Sequence, residues 1–217
     1  TTFFDLEPLP PAQPAPGTAL ATPYGISISE DDSTLVVTTA GSDKVITMDA
    51  NSGEVLGRVD VEAVPRGVAL TSFEDGRPSK AWVLNAVENT VSLVDVSNTS
   101  EPNLLSTIVL EDPTHQIVKR GRKAFETASA STTGTFACAS CHADGHTDQL
   151  LWVLNTPIVT GGDQIQPRTT MPIRGLRDTE PYHWDGIPGD PYGGVNAANT
   201  DDYVPPNSDI NDQTTAT

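Results

Sequence analysis

The chain has 217 residues, of which 29 are acidic and 12 basic, giving a formal net charge of −17. That balance excludes nucleic acid as a partner, since its phosphates would be repelled, and favours steering of a cationic one. Seventeen glycines and 18 prolines predict turns and short strands rather than long helices, and no apolar run approaches the roughly 20 residues that span a bilayer.

Residues 1–23 include Pro8, Pro10, Pro11, Pro14, Pro16 and Pro23. Such a stretch reads as an extended linker or long loop.

Residues 24–112 contain an internal repeat. The first copy runs YGISIS (24–29), STLVVTT (33–39), KVITMD (44–49) and EVLGRV (54–59). The second runs RGVALT (66–71), KAWVLN (80–85), TVSLVD (90–95) and LLSTIV (104–109). Gly25 matches Gly67 42 residues later, and Asp49 matches Asp95 46 residues later, which places a four-residue insertion around residues 73–79. Four β-rich runs per repeat of about 40–45 residues is the pattern of a propeller blade. The copies resemble the YVTN family of propeller repeats, and that resemblance implies a blade fold. Two blades do not close a ring, which takes about four to eight. Further blades or haem domains are therefore expected on the same longer protein or on another subunit.

Residues 113–217 change character. The pattern predicts a helix over 113–125, with Pro113 in its first turn, acidic Glu111 and Asp112 before it, and Gly121 allowing close helix approach. Ile117, Val118 and Phe125 can share an apolar stripe. Lys119, Arg120, Arg122 and Lys123 make it a basic cluster. A small and polar loop then leads to Phe136.

Cys138, Ala139, Ser140, Cys141 and His142 spell C-x-x-C-H and hold the only two cysteines of the chain. The motif is a c-type haem attachment site. Each thiol can form a thioether to the porphyrin, and the histidine stands where its imidazole binds iron. A redox pair wants a βαβ context that the upstream residues do not provide. A structural zinc site wants four ligands, two of which would have to come from His115, His142, His146 and His183. Covalent attachment takes place outside the cytoplasm. A periplasmic or extracellular location is therefore expected, with a leader removed or lying upstream.

The surroundings of the motif are GRKAF at 121–125, FACASCH at 136–142, DGHTDQLLW at 144–152, RTTMPIRG at 168–175 and PYHWDG at 181–186. Together these segments resemble the haem domains of the di-haem cytochrome c peroxidase superfamily and their propeller-fused relatives. The resemblance implies a mainly α-helical cytochrome c domain at 113–217 behind two partial blades at 24–112, a mixed β and α chain overall. It implies one covalent haem c with His142 as proximal ligand. The distal ligand is open between Met171, which would suit a raised-potential electron carrier, and His183. Arg168 and Arg174 are candidate partners of the haem propionates. Trp152, Tyr182 and Trp184 are candidates for the haem edge. Calcium is a further possibility at Asp144, Asp148, Asp185 and Asp190, whose hard oxygens suit it.

The expected function is electron transfer to or from a redox partner, with the blades as scaffold. The alternatives are a peroxidase or oxidase with a second haem outside this chain, and a propeller binding module with an accessory haem. The acidic, glycine-rich tail over 189–217 reads as loop.

Overall fold

The computed structural model of the protein describes residues 3–8, 12–131, 133–156 and 164–176. By contact the chain divides into two compact units, Thr1–Ser140 and Cys141–Thr217.

Eight strands of the first unit form two four-stranded antiparallel sheets. The first contains β1 (Pro23–Ile28), β2 (Thr34–Thr39), β3 (Lys44–Asp49) and β4 (Val55–Asp60); the second contains β5 (Pro65–Ser72), β6 (Pro78–Asn85), β7 (Thr90–Asp95) and β8 (Asn103–Val109). Each is a simple meander, strand following strand in chain order. These are the two blades that the repeat predicts. The residues that recur in sequence are those that build turns. Asp49 accepts the backbone N–H groups of Asn51 and Ser52, and Asp95 accepts that of Ser97. Asp43 and Asn89 hold equivalent left-handed corners, with φ of 53° and 54°, a conformation those side chains tolerate. The four-residue insertion forms the β5–β6 turn, where Gly76 N–H donates to Phe73 and Phe73 N–H to Arg77.

The two sheets stack face to face. Val36 and Val45 of the first meet Ala81, Val83, Val94 and Val96 beside the second, all fully buried, with Val68, Leu70 and Leu104 closing the edge. The opposite face of the first sheet offers Val37, Ile46 and Met48 with Leu35 and Val55, and these are covered by Leu6 and Leu20. The proline-rich N-terminal segment thus carries no strand among its described residues but still packs, through Leu6 and Leu20. Burial of β2 and β3 on both faces follows from this double cover. In β6, by contrast, buried and exposed residues alternate.

Helix α1 spans Gln116–Glu126. It begins three residues later than the expected start at Pro113 because Asp112 first accepts Thr114 N–H in a tight turn, and His115 then caps the helix with Nδ1 accepting from Ile117 N–H. Two of its four basic residues are tied down, while Arg120 and Arg122 are exposed. Lys119 donates to the Glu88 carbonyl at 2.9 Å and pairs with the carboxylates of Glu88 and Asp112, and Lys123 also reaches Glu88. At its far end Glu126 accepts two hydrogen bonds from Arg66. These ties place α1 in the first unit, whereas the sequence put a boundary between 112 and 113. Ile117 and Val118 are exposed, and a side chain at Gly121 would meet nothing within 4 Å, so the described residues supply no partner helix.

The mainly helical domain expected after residue 112 is not what the described residues form. Beyond α1 they contain a single turn of helix, α2 (Cys138–Cys141), two short 3-10 turns, and a hairpin of β9 (Leu151–Thr156) and β10 (Gln164–Thr169). The run LWVLNT is apolar and β-branched enough to prefer a strand.

Candidate functional site around the C-x-x-C-H turn

The cysteine pair lies on α2, a single helical turn, so Cys138 and Cys141 fall three residues apart on neighbouring positions of one face. The two are not joined in a disulfide; Cys138 is exposed and Cys141 half-buried.

The first unit holds the start of this turn. Ser140 Oγ, on the third residue of α2, reaches back to accept the N–H of Ala137 just before the helix, at 3.0 Å. The same hydroxyl lies 3.4 Å from Thr22 Oγ1, just before β1. Ala137 packs with Ala21 and Ala128 in a small buried cluster, and Ala128 N–H donates to Gly41 at 2.7 Å. Only small residues fit here, which explains the alanine-rich sequence on either side of the motif. The first blade and the end of α1 thereby fix where the motif starts.

The second unit holds its end. His142 Nδ1 lies 2.8 Å from the carbonyl oxygen of Met171. A carbonyl only accepts, so Nδ1 must carry the hydrogen, which leaves Nε2 with the lone pair that binds a metal. A carbonyl behind the imidazole also fixes ring orientation.

Residues 170–174 run beside residues 142–150 through further bonds. Thr147 Oγ1 donates to the Thr170 carbonyl and Ile173 N–H to that of Gly145, while within the turn itself Asp148 N–H donates to the Cys141 carbonyl. Arg174 donates through Nε and Nη2 to the carbonyl of Asp144, at 3.2 and 2.9 Å. Asp144 and Gly145 both have positive φ, 52° and 75°. A side chain at Gly145 would come within 3.3 Å of Arg174 Cγ, so glycine gives the arginine room to cross the turn. Asp148 accepts from Leu150 N–H and from Trp152 Nε1, each at 2.9 Å. Burial pushes its carboxyl upward, but these hydrogen bonds, with one from Thr170, outweigh that and hold it below its ordinary value.

Within the second unit the structure ties Cys141, His142, Met171 and Arg174 into one bonded turn, while Cys138 opens α2 in the first unit. Arg168 sits in β10 opposite Trp152 of β9. His183, Trp184, Asp185 and Asp190 lie outside the described residues. His146 is exposed at the end of the turn. Among the described residues no three His, Cys, Asp or Glu side chains gather to hold a metal ion. Sequence reasoning passed over Ser140, Thr22 and Thr147. Their only signal was hydroxyl-bearing residues beside a helix start and a turn.

No family model matches the chain, and no curated protein matches it. Among solved structures it is similar to hydrazine synthase of Kuenenia stuttgartiensis, at 32% identity over 44% of this chain and 25% of that one, with a TM-score of 0.37. It is also similar to dihydro-heme d1 dehydrogenase NirN in complex with DHE, at 22% identity over 42% of this chain and 18% of that one, TM-score 0.34. The β-propeller domain of Myceliophteria thermophila Cps50 (Swd1) gives 17% identity over 42% and 29% of the two chains, TM-score 0.34. The chain spans 18% to 29% of the length of these three proteins.

Proposed function

We propose that the chain is a c-type cytochrome segment working outside the cytoplasm, in which Cys138 and Cys141 hold one haem c through thioethers and His142 Nε2 is the proximal iron ligand. The observation that carries this reading is the His142 Nδ1–Met171 carbonyl bond, which gives the imidazole the tautomer that iron needs. Two cysteines on one helical turn that ends at that histidine, not joined in a disulfide, fit the same group. So do the exposed apolar side chains of the second unit, Leu150, Leu151, Trp152 and Met171, since exposed apolar residues mark surfaces that something covers. When bound, haem c supplies a one-electron couple set by its axial ligands and surroundings.

The chain's own residues then have separable roles. Ser140 and the Ala21, Ala128 and Ala137 cluster fix the first cysteine. Met171 orients the proximal imidazole. Its peptide stands at the Nδ1 edge of the ring, opposite to Nε2, and this position suits proximal support and not ligation from the far side of the iron. The far side falls to a residue such as His183, or to an exogenous ligand. Arg174 clamps the Asp144–Gly145 turn with two donors and keeps others for a haem propionate, a role Arg168 shares. The negative charge suits a cationic redox partner, and further blades complete the scaffold. Among the described residues no helix is long and apolar enough to cross a membrane.

The test is reversible redox titration of protein made in a host with haem-attachment machinery, followed by peroxide turnover. A single one-electron wave without peroxidase activity supports a carrier. Sustained peroxide reduction by the chain alone contradicts it.

A further inference from the structure

The hydrogen bond between His142 Nδ1 and the Met171 carbonyl lies in an exposed position. Water competes there for both groups, so the bond persists only where the backbone behind the carbonyl is held. Two short contacts hold it, one on each side of Met171. Thr147 Oγ1 donates to the Thr170 carbonyl at 2.8 Å, and Ile173 N–H donates to the Gly145 carbonyl at 3.0 Å. Both reach the turn that follows His142 in sequence.

The Thr147 contact is made by a side chain, in a part-buried place. The one hydrogen of its hydroxyl goes to the Thr170 carbonyl, and the oxygen accepts the N–H of Gln149 at 2.9 Å. Gln149 has a φ of 59°, a left-handed conformation that is costly for a non-glycine residue, and the hydroxyl satisfies the N–H that this conformation presents. Other ties at residue 170 do not fix its carbonyl. Thr170 N–H meets the Leu150 carbonyl only at 3.5 Å, a length at which a hydrogen bond is weak. The Asp148 carboxylate accepts from the Thr170 side chain, which leaves the peptide free to turn. Sequence then passes the constraint along. Pro172 follows Met171 and restricts it to extended backbone, so the carbonyls of Thr170 and Met171 turn together.

We infer that Thr147 is a positioning residue for His142: its hydroxyl anchors the Thr170–Met171 peptide, which aims the Met171 carbonyl at Nδ1 and keeps the imidazole lone pair on Nε2. The inference rests on the proposal that His142 Nε2 is the iron ligand. Thr147 acts through the carbonyl, so its hydroxyl matters and its bulk does not. Valine has the shape of threonine without the hydroxyl, and serine keeps the hydroxyl with less bulk.

Long-range nitrogen–proton NMR spectra of the full chain before haem attachment, at about pH 8 where an ordinary imidazole is neutral, report which nitrogen of His142 carries the hydrogen. It is expected on Nδ1 in the parent chain and in Thr147→Ser. In Thr147→Val the Nε2–H form should rise several-fold, and Thr147→Ala repeats the comparison if valine opens the β9–β10 hairpin. In haem-loaded protein the midpoint potential should shift in Thr147→Val and return in Thr147→Ser. A tautomer that ignores loss of the hydroxyl overturns the inference, and so does a potential that serine does not restore. A chain that takes up no haem yet shows the Thr147-dependent tautomer contradicts the haem assignment and supports the positioning. A chain that takes up haem while its tautomer ignores Thr147 overturns this inference alone.

Discussion

Removing the Arg66–Glu126 pair should loosen the joint between the second blade and the segment leading to the cysteines. Arg66 Nη2 alone reaches both carboxylate oxygens, at 2.8 and 2.9 Å, and the guanidinium stacks 4.8 Å from the centre of the Tyr24 ring. The two side chains are 23% and 13% exposed. Hydrogen bonds to charged groups contribute about 1.5–3 kcal/mol, and a cation–π contact at a partly exposed site about 0.5–1 kcal/mol. Breaking a fully buried pair costs about 3–5 kcal/mol, and the remaining exposure lowers that. Arg66→Ala should therefore destabilise the first unit by about 2–3 kcal/mol, with a coupling to Glu126→Ala of about 2 kcal/mol in a double-mutant cycle. Arg66→Lys should recover part of this, because one nitrogen makes both bonds, but lose the stacking. Urea unfolding of the four proteins measures the cycle. Since Thr127 and Ala128 follow Glu126 directly and Ala128 is bonded to Gly41, hydrogen exchange at Ala128 should rise in the single variants. A coupling under about 0.5 kcal/mol, as found for exposed pairs, would refute the reasoning.

Gly25→Ala should destabilise the chain by on the order of 3 kcal/mol, since the new methyl meets backbone. Gly67→Ala should cost under about 1 kcal/mol in the 217-residue chain, where strand alanine is no worse than glycine; urea midpoints separate the two. Ser140→Ala removes the hydrogen bond that holds the Ala137 N–H at the start of α2 and should cost about 1 kcal/mol, read as a fall of about 2–4 °C in Tm. In the helix network, burial raises the Glu88 carboxyl, but Lys119 and Lys123 outweigh it and hold it below its ordinary 4.5. Asp112 lies below 3.8, chiefly through the Thr114 N–H. Carboxylates lowered by folding stabilise above their unfolded values and lose that contribution as pH falls. The stability of the chain should therefore drop below pH 4.5, and Lys119→Met should flatten that acid limb in urea titrations at stepped pH. In haem-loaded protein, Met171→Ala keeps the carbonyl and should leave the ferric ligand-field bands unchanged; their loss would make the thioether an iron ligand.

The blades were legible because their signals are local. Glycine, aspartate and asparagine recur where Gly25, Asp49 and Asn89 make close approaches and turns, and β-branched runs lie between them. The cysteine pair was legible for the same reason, three positions on one helical turn. The N-terminal cover was not, because Leu6 and Leu20 sit in a proline-rich stretch with no period. The β9–β10 hairpin was missed because resemblance to a helical haem domain overrode the strand-like run at 151–156. The Met171 carbonyl was invisible in principle. It is a backbone atom 29 residues from His142, and any side chain at that position would supply it.

The most direct test of the account is the mass and visible spectrum of the protein, made with haem-attachment machinery, after unfolding in denaturant. The account predicts one haem still bound to each chain, no titratable thiol, and loss of the covalent haem in Cys138→Ala/Cys141→Ala. Two free thiols and a haem-free chain after unfolding would contradict it.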